Sequence, residues 1–244
     1  MIANTANPAT PVLLACHDGW AELILNRPER RNAIDGPLAA ALAEILACLR
    51  QDDTIRAVVL RGAQGAFCSG LDLKAMTTEP PPAWTAGFGA LWDQVHAALL
   101  DSRKAWVVAL ERYAINGGAA LALAGDFLVC GETAFLQIGE VQIGMAAPRN
   151  AAWLALRHSE AVAARLCLLG DRVAAAELHR LGVATEVVAD DQVLPRARAI
   201  ASTIAAYPAD AVAAIKAGMR AATAQMPARE WLAACTRALP AAPR

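Results

Sequence analysis

Two short, uninterrupted apolar runs do most to limit what this chain can fold into. The first is Ala-Val-Val-Leu within Arg56–Arg61, and the second is Trp106–Leu110. Each is bounded and brief, and each reads as a buried strand. A helix expected over about Trp84–Leu100 separates them, so strand, crossover helix and strand repeat as stacked β/α units. Upstream, Trp20–Asn26 alternates as a strand does, and Asn26-Arg27-Pro28-Glu29-Arg30 turns away from it. Asp35 then stands before Pro37 and the run Leu38, Leu42, Ile45, Leu46, Leu49: a capping residue, a first-turn proline and an apolar helical face. Beyond Asn150 helical patterns dominate, broken by a short strand at Val183–Val188, and Gly182 follows Leu181 as a helix stop. The expectation is an α/β core over residues 1–190 and a helical C-terminal region over 191–244.

Composition removes several classes of function. With 244 residues, 57% of them hydrophobic, the chain can bury a full core. A net charge of −1 offers no basic excess for nucleic acid. No run approaches the roughly 18 apolar residues of a membrane span, and the polar N-terminus MIANTANPATP has no secretory pattern. The six cysteines form no Cys-x-x-Cys pair, so reduced thiols in the cytoplasm are expected rather than a disulfide or metal framework. His17, His96, His158 and His179 have no spacing that suggests a metal or a triad, and Asp126 and Asp171 are expected to serve turns or caps.

Two glycine turns carry the candidate chemistry. Gly65-Ala66-Phe67-Cys68-Ser69-Gly70-Leu71-Asp72-Leu73-Lys74 follows the first apolar strand, with Asp72 placed to cap the next turn. Asn116-Gly117-Gly118 follows the second. Each alone reads as an ordinary tight turn. A nucleophile elbow needs Gly-x-Ser-x-Gly, and Ser69 has Phe67 and Leu71 where the glycines would stand. Two backbone donors from separate glycine turns are, however, what an oxyanion hole requires. Trp84, Phe88 and Trp92 recur every four residues and form one aromatic stripe on a helix, read first as core packing.

Taken in order, several motifs resemble the crotonase superfamily, the enoyl-CoA hydratase/isomerase family. They are Asn26–Ala33, Phe67–Lys74, Gly117-Gly118 before Leu121–Asp126, Gly139–Gly144, and Leu169–Arg172 followed by Leu181-Gly182-Val183. The resemblance covers about residues 12–220 and implies a repeated ββα fold with a helical trimerisation region, built into a homotrimer or a dimer of trimers. It implies acyl-CoA thioester substrates, with coenzyme A arriving as part of the substrate and no permanently bound cofactor. By position, the amides of Leu71 and Gly117 would hold the thioester oxygen of an enolate. Ser69, Leu71, Asp72, Leu73, Lys74 and Gly117 would line the CoA-binding edge, with Arg30, Arg31 and Lys74 candidates for the phosphates. The aromatic stripe gains a second reading as an acyl-pocket wall.

The resemblance also raises a question of mechanism. Hydratases of the family use two glutamates, and the first position, three residues after the oxyanion glycine, is Ala120 here. The second is Glu140, whose neighbours Ile138, Val141 and Ile143 make an apolar setting expected. One carboxylate suffices to move a double bond, so isomerisation is favoured over hydration. The alternatives are a hydratase or acyl-CoA hydrolase recruiting another acid from the 75–100 region, and a non-catalytic acyl-CoA-binding protein of the same fold. Three departures from the family stand out: Glu111-Arg112 in place of a small residue and Gly, Met145–Arg149 in place of a glycine-rich turn, and no basic, Phe-containing tail.

Overall fold

The computed structural model describes residues 10–221 and Glu230. The chain begins with β1 (Val12–Cys16), β2 (Trp20–Leu25), α1 (Gly36–Gln51) and β3 (Ala57–Gly62). The short α2 (Leu73–Met76) and the longer α3 (Phe88–Leu100) lead to β4 (Ala105–Leu110), β5 (Tyr113–Ile115) and α4 (Gly117–Leu123). Next come β6 (Phe127–Gly131), β7 (Phe135–Gln137), α5 (Pro148–Arg157) and α6 (Glu160–Leu169). The elements β8 (Arg172–Ala174), α7 (Ala175–Arg180), β9 (Glu186–Val188), α8 (Val193–Ala205) and α9 (Ala209–Ala221) complete the series.

The strands form two sheets. A six-stranded sheet has the order β1-β2-β3-β4-β6-β9, parallel except for the β1–β2 hairpin. A smaller sheet has the order β5-β7-β8, and the isolated bridges Ile34–Leu71 and Cys68–Ala114 extend the same pairing into earlier repeats. Long strand, short strand, helix is therefore the repeating unit, clearest in β4-β5-α4. Every residue of β4 is buried, because helices cover both faces of the large sheet. On one face Leu38, Leu42, Leu46 and Leu49 of α1 enter the main core, each contributing about 1.5–3 kcal/mol by burial. On the other, Val193, Ala197 and Ala201 of α8 close on Val59, Val107, Ala109 and Val129. The first helix of the 191–244 stretch thus packs directly on the sheet.

Local signals account for the element boundaries. Asp35 accepts the Leu38 amide at 2.9 Å and starts α1, and Asp72 caps α2 by accepting from Ala75. The later helix starts at Pro148 rather than Asn150, because Pro148 suits a first helical position. The strand expected over Val183–Val188 is confined to Glu186–Val188. Gly182, at φ +72°, lets its own amide and that of Val183 return to His179 and Leu178, so 182–184 finish α7 instead.

Two aspartates do more than cap. Asp126 accepts from the Trp106 amide and pairs with Arg157 at 3.3 Å and Lys216 at 2.6 Å, joining the sheet to α5 and α9 in a buried ion triad. Asp171 pairs with Arg165 at 2.7 Å. Along the aromatic stripe, Phe88 and Trp92 are core residues and Trp84 packs over Gly36, where a Cβ would lie 2.4 Å from the indole. Among the described residues, no group of three His, Cys, Asp or Glu could hold a metal, and no helix is long and apolar enough to cross a membrane. The tail beyond α9 lies outside the described residues, apart from Glu230.

Candidate active site

The Asn26–Ala33 motif is a clamp for the first glycine turn. Arg27 reaches the Ala33 carbonyl at 2.6 Å and pairs with Asp35 at 2.9 Å. Asn32 is fully buried and donates to the carbonyls of Ala63 and Ala66, while the Arg31 carbonyl accepts the Ser69 amide. Ile34 closes the clamp: its amide donates to Gly70, and its carbonyl accepts from Asp72. Those two bonds use the groups on either side of Leu71. Among the described residues the Leu71 amide itself has no acceptor.

The second turn lies against the first. Gly70, at φ +92°, approaches β5 so closely that a Cβ would sit 2.8 Å from the Ile115 carbonyl. A Cβ on Gly118 would meet the Cys68 carbonyl at 2.7 Å and its sulfur at 2.8 Å. Asn116, in the left-handed half of φ space at +51°, turns the chain into α4. Gly117 is the first residue of that helix, where an N–H has no intrahelical acceptor. A Cβ on Gly117 would contact the Leu71 side chain at 3.4 Å, so the two turns are immediate neighbours.

Glu140 reaches the same place from β7. The Asn116 Oδ1 accepts the Gly139 amide at 2.8 Å, tying the Glu140 turn to the Gly117 turn. Gln137 and Gln142 donate to the Gly170 carbonyl at 3.1 and 3.0 Å and hold the turn against the end of α6. Glu140 Oε1 accepts from Asn150 Nδ2 at 3.1 Å. Its Oε2 is buried and, among the described residues, has no hydrogen-bond partner. Burial pushes the Glu140 carboxyl up to about 7, opposed only by its own backbone amide and the Asn150 side chain. The apolar setting does not come from Val141 and Ile143, which are 44% and 56% exposed. It comes from the cavity wall.

That cavity holds about 470 Å³ and is mostly apolar, within the usual range for a small-molecule site. Leu71, Gly117, Ala120, Trp92, Pro148 and Glu140 line it, and Glu140 is the one carboxylate among its described lining residues. Ser69 and Leu73 also line it. A larger cavity of about 630 Å³ between α1 and α3 contains none of the glycine-turn residues, though Arg149 borders both. Arg149 pairs with Asp93, so that acid of the 75–100 region is engaged outside the Glu140 cavity.

Other expected site residues are placed differently. Asp72 is buried; against the upward push of burial, the Arg30 guanidinium and the Ala75 amide hold its carboxyl below the usual range. It braces the turn rather than lining the cavity, and Arg30 is its partner at 3.0 Å. Arg31 and Lys74 are exposed beside the turn. Two residues carried too little signal in the sequence to be singled out. Asn116 stood in the glycine motif without an assigned role, and Asn150 is a single asparagine in a helix with no local pattern to mark it.

A sheet of ββα repeats whose two glycine turns meet at one acid-bearing cavity fits the crotonase class. The chain belongs to the enoyl-CoA hydratase/isomerase family, whose model matches residues 16–239. It is 35% identical over 203 residues to carnitinyl-CoA dehydratase of Proteus mirabilis (strain HI4320), covering 82% of this chain and 76% of the relative. It is 31% identical over 215 residues to 1,2-epoxyphenylacetyl-CoA isomerase of Escherichia coli (strain K12), covering 86% and 82%. Among solved structures, a Thermobifida fusca YX protein in complex with CoA superimposes with a TM-score of 0.80 at 28% identity, covering 97% of this chain and 94% of the other. The protein is therefore an enzyme of the crotonase family, acting on acyl-CoA thioesters.

Proposed function

We propose that this enzyme moves a double bond within an acyl-CoA thioester, with Glu140 as its single base. Glu140 takes a proton from the carbon beside the thioester carbonyl, and the electron pair passes into an enolate. The charge on the enolate oxygen is met by the amides of Leu71 and Gly117. Returned at C4, the same proton shifts the double bond into conjugation, and nothing is gained or lost overall. The CoA portion would run along Ser69 and Leu73, with its phosphates near Lys74 and Arg31; Arg30 is less available because Asp72 holds it.

One observation carries this reading: a half-buried carboxyl, raised to about 7, whose buried Oε2 has no partner among the described residues, shares its cavity with Leu71 and Gly117, whose amides have no acceptor among those residues. A base with a pKa near the working pH is efficient, since it is ionised yet still basic. Ala120 in the cavity wall removes the second proton-transfer group that hydration would use. Hydration is the second reading, favoured by Asn150 Oδ1. That oxygen is also buried and without a partner among the described residues, and is an acceptor available to a water molecule. A panel of 2-enoyl- and 3-enoyl-CoA thioesters in ¹⁸O-water separates the two. Conversion of 3-enoyl to 2-enoyl thioester without ¹⁸O uptake supports the one-base isomerase. Uptake of ¹⁸O into the acyl chain replaces it with a hydratase, release of free CoA with a hydrolase, and binding without turnover with a binding protein.

A further inference from the structure

Asn150 occupies a position that the base and the oxyanion donors do not explain. It is 2% exposed, on the first turns of α5, far in sequence from both glycine turns. Its Nδ2 donates twice: to Glu140 Oε1 at 3.1 Å and to the Asn116 carbonyl at 3.2 Å. Two acceptors on one side fix which end of the amide is nitrogen. The Asn116 carbonyl belongs to the peptide whose N–H is that of Gly117, and it also accepts the Ala120 amide at 3.1 Å. A donor on the oxygen of a peptide polarises its N–H at the other end.

The geometry points to Asn150 as a positioning residue that joins the two halves of the site, orienting the Glu140 carboxylate and strengthening the Gly117 donor through one –NH₂ group. This rests on the proposed role of Glu140 as base. The coupling is physical because an ionised Glu140 accepts a stronger hydrogen bond from Asn150 than a neutral one does. Asn150 thus favours the basic form in a cavity that otherwise opposes charge. It keeps the base usable without returning it to water.

Few other groups compete for that influence. On α6, Cys167 faces Glu140, but burial and the carboxylate itself push its thiol up to about 12, so it stays neutral near pH 7. On α5, Arg149 is paired with Asp93. The α4 segment packed beside the turn, Gly117–Leu123, contains no titratable side chain.

The test titrates Glu140 directly by ¹³C NMR in protein labelled at the glutamate carboxyl carbon, with the Glu140→Gln variant assigning the signal. Asn150→Ala is expected to move the Glu140 titration to higher pH. Asn150→Asp, which keeps the shape, is expected to give a coupled pair whose upper step lies above the wild-type value. C2 proton exchange of butyryl-CoA in D₂O supplies the second readout. In both variants kcat is expected to fall about ten- to a hundredfold, the loss of one hydrogen bond to a charged group, with KM nearly unchanged and the acid limb displaced with the NMR value. A Glu140 titration at the wild-type position in folded Asn150→Asp overturns the inference, as does a loss of activity with an unmoved acid limb. A displaced titration in a protein whose wild type exchanges no proton leaves Asn150 as assigned and refutes the proposed base chemistry instead.

Discussion

Among the described residues Glu140 is held by a single side-chain donor, Asn150, and that has consequences at the scale of one residue. Its carboxyl is raised to about 7 by burial, so the ionised base disappears as pH falls below that value. kcat/KM should therefore rise with pH through about 7 and level off above it, as an initial-rate profile on a fixed thioester would reveal. The same shift has an opposite sign for stability. The folded protein holds the proton more tightly than the unfolded chain, so Glu140 favours folding below the ordinary glutamate range and that contribution is lost as pH rises through about 7. Glu140→Gln, which cannot ionise, should raise the melting temperature relative to wild type at pH 8, and the gap should close near pH 5. A base that weakens its own fold at working pH fits a residue kept for chemistry.

At the scale of elements, the site depends on how closely α4 and the first glycine turn approach. The two adjacent glycines differ in what they are for. A Cβ on Gly118 would collide with the Cys68 backbone and sulfur, whereas one on Gly117 makes ordinary contacts with Leu71 and Ile34. Gly118→Ala should cost about 1–3 kcal/mol in urea denaturation through overpacking and should also reduce activity. Gly117→Ala should leave stability nearly unchanged in the same assay. A similar loss from both would contradict the assignment of the close approach to Gly118. Strands β2, β3 and β4, the α1 cap and both glycine turns were legible in the sequence because each rests on local spacing, whereas β1 and β6 of the same sheet were not singled out. The small sheet was not: β5, β7 and β8 are three residues each, too short for any periodicity to register. Asn150 was invisible for a different reason, since its two partners are 10 and 34 residues away and only the fold brings them together. Asp126 looked like a turn residue because its cations lie 31 and 90 residues downstream.

The whole molecule is tied together by that last residue. Asp126 joins the sheet to α5 and α9, and the Lys216 side chain is even more buried than that of its partner. Asp126→Ala would leave the buried Lys216 and the partly buried Arg157 without their anion, at a cost of about 3–5 kcal/mol, measurable by chemical denaturation at pH 7. Burial works against the ionised carboxylate, but Lys216 and Arg157 prevail and hold its pKa below the usual range. Its contribution is accordingly present above the unfolded aspartate range and lost as pH falls through the lowered value. The same C-terminal third carries exposed apolar side chains, among them Leu168, Leu169, Tyr207, Ile215 and Met219. Large apolar side chains left in solvent are candidates for burial between subunits. We propose that they face other copies of the chain in a homotrimer or a dimer of trimers. Light scattering should give three or six times the chain mass of 25.5 kDa, and a monomer at micromolar concentration would contradict that.

Proton exchange at C2 of a saturated acyl-CoA, followed in D₂O alongside the dissociation constant of the same thioester, tests the central claim most directly. Exchange by the wild type should grow through about pH 7, and in Glu140→Gln it should fall about 10²–10⁴-fold with affinity nearly intact. Exchange that persists undiminished in Glu140→Gln would contradict the assignment of the base.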